Sequence, residues 1–498
     1  MVLSKAGATL AAALVLAGLE LGAAQSQPPQ APPAQIQTKP QEATPATPQT
    51  GPVQPQRRRQ GRKKRAPRTS RLPAWPTQGL FEEARMPRDP GPMRQQLTLT
   101  ANVLGGYDDN LTAGLGTGTG VAPTAMASGA TGYMDGTLGY FRGNTLRSIR
   151  MDSTGSVTAY PGYLDRPAAG GVVAMDAKTP VGRNLTLRAS ERVGYEPLFN
   201  VISPGASSAP LPPAIGEALP ATGLFERRSL NSSSSVSIDR RWSREDATSL
   251  SYTYRVEQFT NDDYGDNNAH EVWARHRRRL ATGVRARAEY RYVNLDYTDS
   301  EGTVRPMLEH RIEGGPEIEK AVSRRRDLTL SLAGGGGYIE TAGSADRLPY
   351  HAWVPTGSAS AKLALSPLSS VDGGYRRDFS LFRGVTDEVY STDTAFVSTG
   401  GFVTNRTDLR AVATYSHWKT LVASGVSDSF NVYGASLQLR VKLTESVAAT
   451  AAYYYYHHRY SNPGDLPAGF PAEYDRHAVR VGLAVWVPLA GTPQRPQR

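Results

Sequence analysis

The stretch VRARAEYRY, residues 284–292, divides by parity almost without exception. Val284, Ala286, Ala288, Tyr290 and Tyr292 fall on one side, and Arg285, Arg287, Glu289 and Arg291 on the other. Successive side chains of a strand point to opposite faces, so this is a strand with one apolar and one charged face. A helix, turning about 100° per residue, would mix the two sets. The same alternation sets Leu97, Leu99, Ala101 and Val103 against Thr98, Thr100 and Asn102, and Leu250, Tyr252, Tyr254 and Val256 against Ser251, Thr253, Arg255 and Glu257. It returns at Ala435 to Leu443 and at Val479 to Val487. From Gln95 onward no window carries the i, i+3, i+4, i+7 apolar spacing of a helix.

Short polar breaks fall near Asn144, Gly182, Ser243, Ala281, Arg325, Pro367, Asn405 and Thr444, most of them about 40 residues apart. Between them lie longer segments rich in Gly, Pro, Asn and Asp, from 108–130 to 461–473. Eight short turns alternating with nine long loops join eighteen strands. Weak alternation at 145–159, 168–179 and 266–280 keeps sixteen strands open as an alternative. Each strand has room for the roughly 10 residues that a tilted strand needs to cross a bilayer. An even strand count with short turns on one side and long loops on the other predicts an all-β, antiparallel, up-and-down transmembrane barrel with both termini in the periplasm. A propeller also repeats every 40–45 residues or so, but its blades hold four short strands where each period here holds two long ones.

Aromatic residues gather at the loop-side strand ends: Tyr107, Tyr160, Tyr195, Phe259, Tyr297, Tyr338, Phe379, Trp418 and Tyr456 where strands run out, and Tyr133, Trp353, Tyr390, Phe430 and Tyr474 where they return. They read as the girdle at a lipid–water interface.

Composition narrows the class. The 498 residues include no cysteine, which excludes a disulfide framework, Cys-ligated zinc and a thiol nucleophile. Mean hydropathy is −0.43, which excludes a bundle of transmembrane helices. The net charge of +11 resides in the tails, since residues 95–494 hold 40 basic and 40 acidic side chains. A nucleic-acid surface is therefore not expected. Residues 1–24, with Lys5, an apolar run from Ala6 to Leu19 and small residues up to Ala24, read as a signal peptide. Residues 25–94 read as a disordered periplasmic segment, first Gln/Pro-rich and then basic from Arg57 to Arg71, a block that meets anionic lipid, an acidic polymer or solvent alone. The barrel spans 95–491 and a short tail 492–498.

The opening strand ends in VLGGYDDNLT (Val103–Thr112), and the last strand reads VRVGLAVWVPLAG (Val479–Gly491). With the recurring hairpins, these stretches make residues 95–491 resemble the β-barrel porin 2 group of outer-membrane proteins and the EpsL-type barrels of exopolysaccharide operons. The resemblance implies an integral outer-membrane barrel and leaves its cargo open. In outer-membrane barrels the final strand usually ends the chain on an aromatic residue, whereas here twelve residues follow Trp486.

Catalytic chemistry has little support. No Gly-x-Ser-x-Gly turn and no His-Glu-x-x-His occurs. His457 and His458 are adjacent on a strand, so they face opposite sides and cannot share an ion. Asp262, Asp263, His270, His276 and His310 could meet only if separate loops brought them together. The loop acids, among them Asp108 and Asp109, read as solvated. The expectation is a protein that is not an enzyme, with no cofactor and no metal.

The polar face carries the stronger signal. Where parity is clear it presents Arg188, Arg192, Arg255, Arg285, Arg287, Arg291, Lys362, Arg376, Arg410, Arg440, Lys442 and Arg480, with Glu257, Glu289, Asp372 and Asp378 as its acids. A charge facing lipid at mid-membrane costs about 2–4 kcal/mol for Arg or Lys, so this row must face inward. Arg255, Arg285, Arg287, Arg291, Arg376, Arg410, Arg440, Lys442 and Arg480 are the candidate pore-lining residues. A basic lumen predicts a passive diffusion channel for small anionic hydrophilic solutes. The alternatives are arginines locked in cross-strand ion pairs, and an exopolysaccharide secretion-accessory or adhesion barrel without general pore activity. Expected partners are outer-membrane lipid and lipopolysaccharide, the barrel-insertion machinery, and small anions or acidic polysaccharide, with the barrel a monomer or a homotrimer. The 29-residue loop from Glu196 to Leu224 is the candidate constriction.

Overall fold

A computed structural model describes the chain from Met93 to Gly491, apart from residues 111–127, 145, 162–166, 197–228, 260–265, 299–301, 324–325, 343–348, 367–368, 383–387, 405, 422–428 and 462–471. The expected signal peptide, basic segment, C-terminal tail and Glu196–Leu224 constriction lie wholly or almost wholly outside the described residues. The strands are β1 (Arg94–Asp108), β2 (Gly129–Gly143), β3 (Ser148–Ala159), β4 (Ala168–Pro180), β5 (Leu185–Glu196), β6 (Ser229–Arg241), β7 (Asp246–Phe259), β8 (Asn267–Ala281) and β9 (Val284–Thr298). They continue with β10 (Val304–Ser323), β11 (Arg326–Thr341), β12 (Tyr350–Ser366), β13 (Ser369–Phe382), β14 (Glu388–Phe402), β15 (Thr407–Thr420), β16 (Ser429–Lys442), β17 (Val447–Tyr460) and β18 (Glu473–Gly491).

Every strand pairs antiparallel with its sequence neighbours, and β1 also pairs with β18, so the eighteen strands form a closed barrel with no free edge. The weakly alternating segments are β3, β4 and β8, which excludes the sixteen-stranded alternative. The first and last strands both meet the short-turn side, where Arg94 lies opposite Gly143 and Gln96 opposite Gly491.

The break residues make the turns. Asn144 Oδ1 accepts from the Leu146 and Arg147 amides at 2.9 Å, Ser243 Oγ from the Glu245 and Asp246 amides at 3.0 Å, and Thr444 Oγ1 from the Val447 amide at 3.0 Å. Side-chain oxygens thus satisfy amides that the ladder leaves over. In the tight β8–β9 turn Gly283 has φ +76°, and a Cβ there would lie 2.3 Å from the Glu319 carbonyl oxygen.

At the loop side the Tyr-Asp-Asp-Asn stretch (Tyr107–Asn110) clasps the β1–β18 seam. Asp108, expected as a solvated loop acid, is fully buried against Arg476, whose Nε donates to both its carboxylate oxygens at 3.0 Å. Asp109 Oδ1 accepts from the His477 amide at 2.6 Å. Asn110 Nδ2 donates to the Asp475 carbonyl at 2.6 Å, and Tyr474 donates its hydroxyl to the Asn110 carbonyl. Three consecutive residues, Asp108, Asp109 and Asn110, therefore join the first strand to the last.

The outward face is apolar, with Leu99, Val103, Leu138, Leu250, Ile312, Val397, Leu437, Val481 and Leu483 exposed. The aromatic girdle is only partly where expected. Tyr107, Tyr195 and Trp353 face outward, but Tyr160, Phe259, Tyr297, Phe379, Tyr390, Trp418, Phe430, Tyr456 and Tyr474 are buried. A place near a strand end does not set the face; parity does. Much of the outward girdle is a module used three times, in which a Tyr-x-Tyr pair meets a histidine on the next strand. Tyr252 with His270, Tyr290 with His310 and Tyr453 with His477 each bring the hydroxyl within 2.8 Å of Nδ1. The histidine ring lies 4.8–5.0 Å from the second tyrosine, Tyr254, Tyr292 or Tyr455.

Candidate functional site

The register places the candidate arginines on one continuous inward face, because Arg255, Arg291 and Arg311 alternate with the exposed apolar rows and make side-chain contacts across strands. That face is not a plain basic surface. Arg255 Nη2 lies 2.8 Å from Glu271, and Arg291 Nε lies 2.9 Å from the other oxygen of the same carboxylate. Arg291 is 3.6 Å from Glu309, which also meets Arg311 at 2.9 Å. Arg311 then pairs with Asp378, which Arg376 Nε contacts at 2.9 Å. The result is an alternating ladder of charge from β7 to β13. Below it Arg287 lies between Glu289 at 3.8 Å and Glu317 at 3.6 Å, and Arg285 meets Glu319 at 2.7 Å. Arg410 is 3.8 Å from Asp408, and Arg440 donates to Gln438 at 2.9 Å.

The expectation of a strongly basic wall is thereby corrected, since the acids of that wall extend well beyond Glu257, Glu289, Asp372 and Asp378. Glu271 comes from β8, where alternation is weak, while Glu309, Glu313, Glu317 and Glu319 form a legible period-two row with Arg311 in β10. Reading β10 by parity would have found them.

The ladder changes character along the barrel. Near the loops Arg291, Glu309 and Arg311 are 7%, 5% and 4% exposed. Toward the short turns the Arg285 side chain is 44% exposed and that of Arg188 57%. On β5 and β9 the wall is thus solvent-accessible toward the short turns, and from β9 to β13 it is filled toward the loops, whereas Asp408 and Ala448, at the short-turn ends of β15 and β17, are each 1% exposed.

Part of the filling is the loop-side part of β13, at Asp378 and Phe379. β12 runs up to Tyr350 but pairs with β13 only as far as Gly357 opposite Arg377, whereas β13 and β14 stay paired to Phe382 opposite Glu388. The last residues of this ribbon have left the wall. Phe379, 1% exposed, packs among Ala269, Val293, Leu295, Met307, Ile339 and Val354, inward side chains of β8 to β12. Gly337 receives it, because a Cβ there would stand 2.1 Å from Phe379 Cε1. The Arg311 guanidinium lies 4.8 Å from the centre of the Phe379 ring and pairs with the neighbouring Asp378. The ribbon therefore sits inside the barrel, held by an apolar bed and one buried ion pair. Beside it Tyr390 meets Phe430 edge-on at 5.4 Å, and Phe430 stacks on Trp418 at 5.2 Å.

The other candidates do not converge. His457 and His458 face opposite sides as their adjacency requires: His458 is buried inward, and His457 Nδ1 lies 2.7 Å from Asp475 on the outside. His457, Glu473 and Asp475 bring ligand atoms within 4.8 Å of one another, the only such trio among the described residues. It adjoins a recess of about 830 Å³ lined by Asp109, Tyr453, Tyr455 and His477. His270 and His310 belong to the girdle modules, His276 Nε2 lies 3.9 Å from Asp246, and Asp262 and Asp263 are outside the described residues.

No protein-family model matches the chain, and no curated protein matches it. Solved structures share its general form at low identity. The outer membrane protein OpdK of Pseudomonas aeruginosa is 11% identical over 78% of this chain and 99% of its own, with a TM-score of 0.40. OccAB4 of Acinetobacter baumannii is 10% identical over 81% of this chain and 100% of its own, at 0.41. The ferric-catecholate import receptor Fiu of E. coli K12 is 10% identical over 81% of this chain and 82% of its own, at 0.39. At this distance the likeness is one of general form, and the barrel itself rests on the ladder that closes β1 onto β18.

Proposed function

We propose that this barrel sits in the outer membrane with its short turns and both ends of its strand array in the periplasm, and acts as a diffusion channel for small hydrophilic solutes. The observation that carries this reading is the pairing of an apolar outer face with a charged inner face on which Arg188 of β5 and Arg285 of β9 are solvent-accessible toward the short turns. Eighteen strands give a lumen wide enough for water unless something folds inward, and the β13–β14 ribbon narrows the loop end without replacing the polar wall. Arginine rows focus the field of a low-dielectric pore, and the bases not neutralised by carboxylates leave a modest preference for anions, smaller than an unpaired row would produce. Planar-bilayer conductance of the purified protein tests the proposal. Steps of stable current with a reversal potential shifted toward anions in dilute salt support it, and a folded barrel that passes no current refutes it.

A second reading, an exopolysaccharide accessory or adhesion barrel without general pore activity, is favoured by the burial of the loop-end lumen, where Phe379, Tyr390 and Phe430 are at most 2% exposed. Silence in the bilayer together with a heat-resistant fold would select it.

A further inference from the structure

Among the inward bases Arg480 is held differently. Arg255, Arg285, Arg287, Arg291, Arg376 and Arg410 each have a carboxylate within 4 Å, whereas the guanidinium of Arg480 lies between two rings, 5.3 Å from the centre of Tyr454 and 5.7 Å from that of Tyr133. Tyr454 belongs to the strand before β18, and Tyr133 lies across β1 on β2. The side chain reaches over β1 because inward Gly106 is opposite Arg480, where a Cβ would lie 3.1 Å from Arg480 Cγ and 2.1 Å from the Val479 carbonyl oxygen. Small residues complete the recess, with Ala478 and Gly482 flanking Arg480 on β18 and Ala452 opposite it on β17. An acid is near but engaged elsewhere. Asp135, two positions from Tyr133, accepts from Asn102 Nδ2 with both its oxygens at 2.9 and 3.2 Å.

We infer that Arg480, between Tyr133 and Tyr454 on the lumen wall, is a binding point for the carboxylate of a small solute. Contacts with aromatic rings occupy the guanidinium without consuming its in-plane N–H donors, which form a rigid fork matched to a carboxylate's two oxygens. Phosphate has the same fork geometry, but it carries no apolar group to set against the two flanking rings. The tyrosine rings offer flat apolar surface to whatever carries the carboxylate. This inference rests on the lumen being open to solutes, as the proposed channel requires.

Benzoate is the probe, with chloride as the point-charge control. Isothermal titration of sodium benzoate into the detergent-solubilised full chain measures the site without current, and benzoate block of KCl current measures it in the pore. Wild-type protein should bind benzoate, and both Arg480→Gln and Arg480→Lys should weaken binding about tenfold or more, because lysine keeps the charge but loses the planar fork. Heat-modifiable gel migration of both variants should match that of wild type, which shows that the barrel still closes. Wild-type affinity in Arg480→Lys would overturn the inference, as would benzoate binding no tighter to wild type than to Arg480→Gln. Benzoate binding without any KCl current would leave the site standing and remove the channel. Normal current without benzoate binding would do the reverse.

Discussion

Replacing Asp108 by asparagine tests how the barrel holds its seam. Asp108 is 0% and Arg476 1% exposed, and Arg476 Nε donates to both carboxylate oxygens at 3.0 Å. Removing one charge from a buried pair costs about 3–5 kcal/mol because the other is left uncompensated in a low dielectric. Asparagine keeps a carbonyl oxygen that can still accept one hydrogen bond, which returns about 1 kcal/mol. The expected loss is thus about 2–4 kcal/mol, read from urea titrations of the barrel refolded into phospholipid vesicles. Arg476→Gln should cost a similar amount, since it strands Asp108. The double variant should be less destabilised than the sum, with a coupling of at least about 2 kcal/mol. Asp109→Asn is the control: its hydrogen bond to the His477 amide is exposed, so the loss should stay below about 1 kcal/mol. If Asp108→Asn unfolds within about 0.5 kcal/mol of wild type, or the cycle shows no coupling, the pair does not hold the seam.

Replacing Arg285, Arg287 and Arg291 with serine leaves Glu319, Glu317, Glu289 and Glu271 with fewer cations, so the reversal potential in a salt gradient should move clearly toward cations; no movement would mean that the sector is sealed from the ion path. Conversely, Glu271→Gln removes one negative charge from beside Arg255 and Arg291 and should move the reversal potential toward anions, an effect that fades as salt rises and the Debye length falls below about 8 Å. A side chain at position 337 must displace Phe379, so Gly337→Val should loosen the ribbon and give larger or noisier conductance steps, whereas unchanged steps would place the ribbon outside the conducting path. For topology, an epitope at 261–268 should bind antibody on intact cells and one near Arg325 should not; the opposite labelling would invert the barrel.

Much of this protein was legible from its residues because a strand's faces are set by parity and its ends by turn chemistry. The alternation of Val284–Tyr292, repeated along the chain, specified long amphipathic strands, and Asn144, Gly182, Ser243 and Thr444 marked turns that their own side chains or backbone freedom build. Strand number followed from counting those turns. The pairing of charges did not follow, because parity places Arg291 inward but says nothing of which carboxylates stand opposite. Glu271 and Glu309 reach it only through the register that joins β8, β9 and β10. The role of Asp108 was likewise hidden, since its partner lies 368 residues away and meets it only when the barrel closes. Even clean local periodicity could not show that the end of β13 leaves the wall, because Phe379 and Asp378 obey strand parity in sequence yet both reach Arg311 once the ribbon turns inward. Local steric rules act between neighbouring residues and are therefore written in the sequence, whereas contacts across a lumen depend on the closure of all eighteen strands.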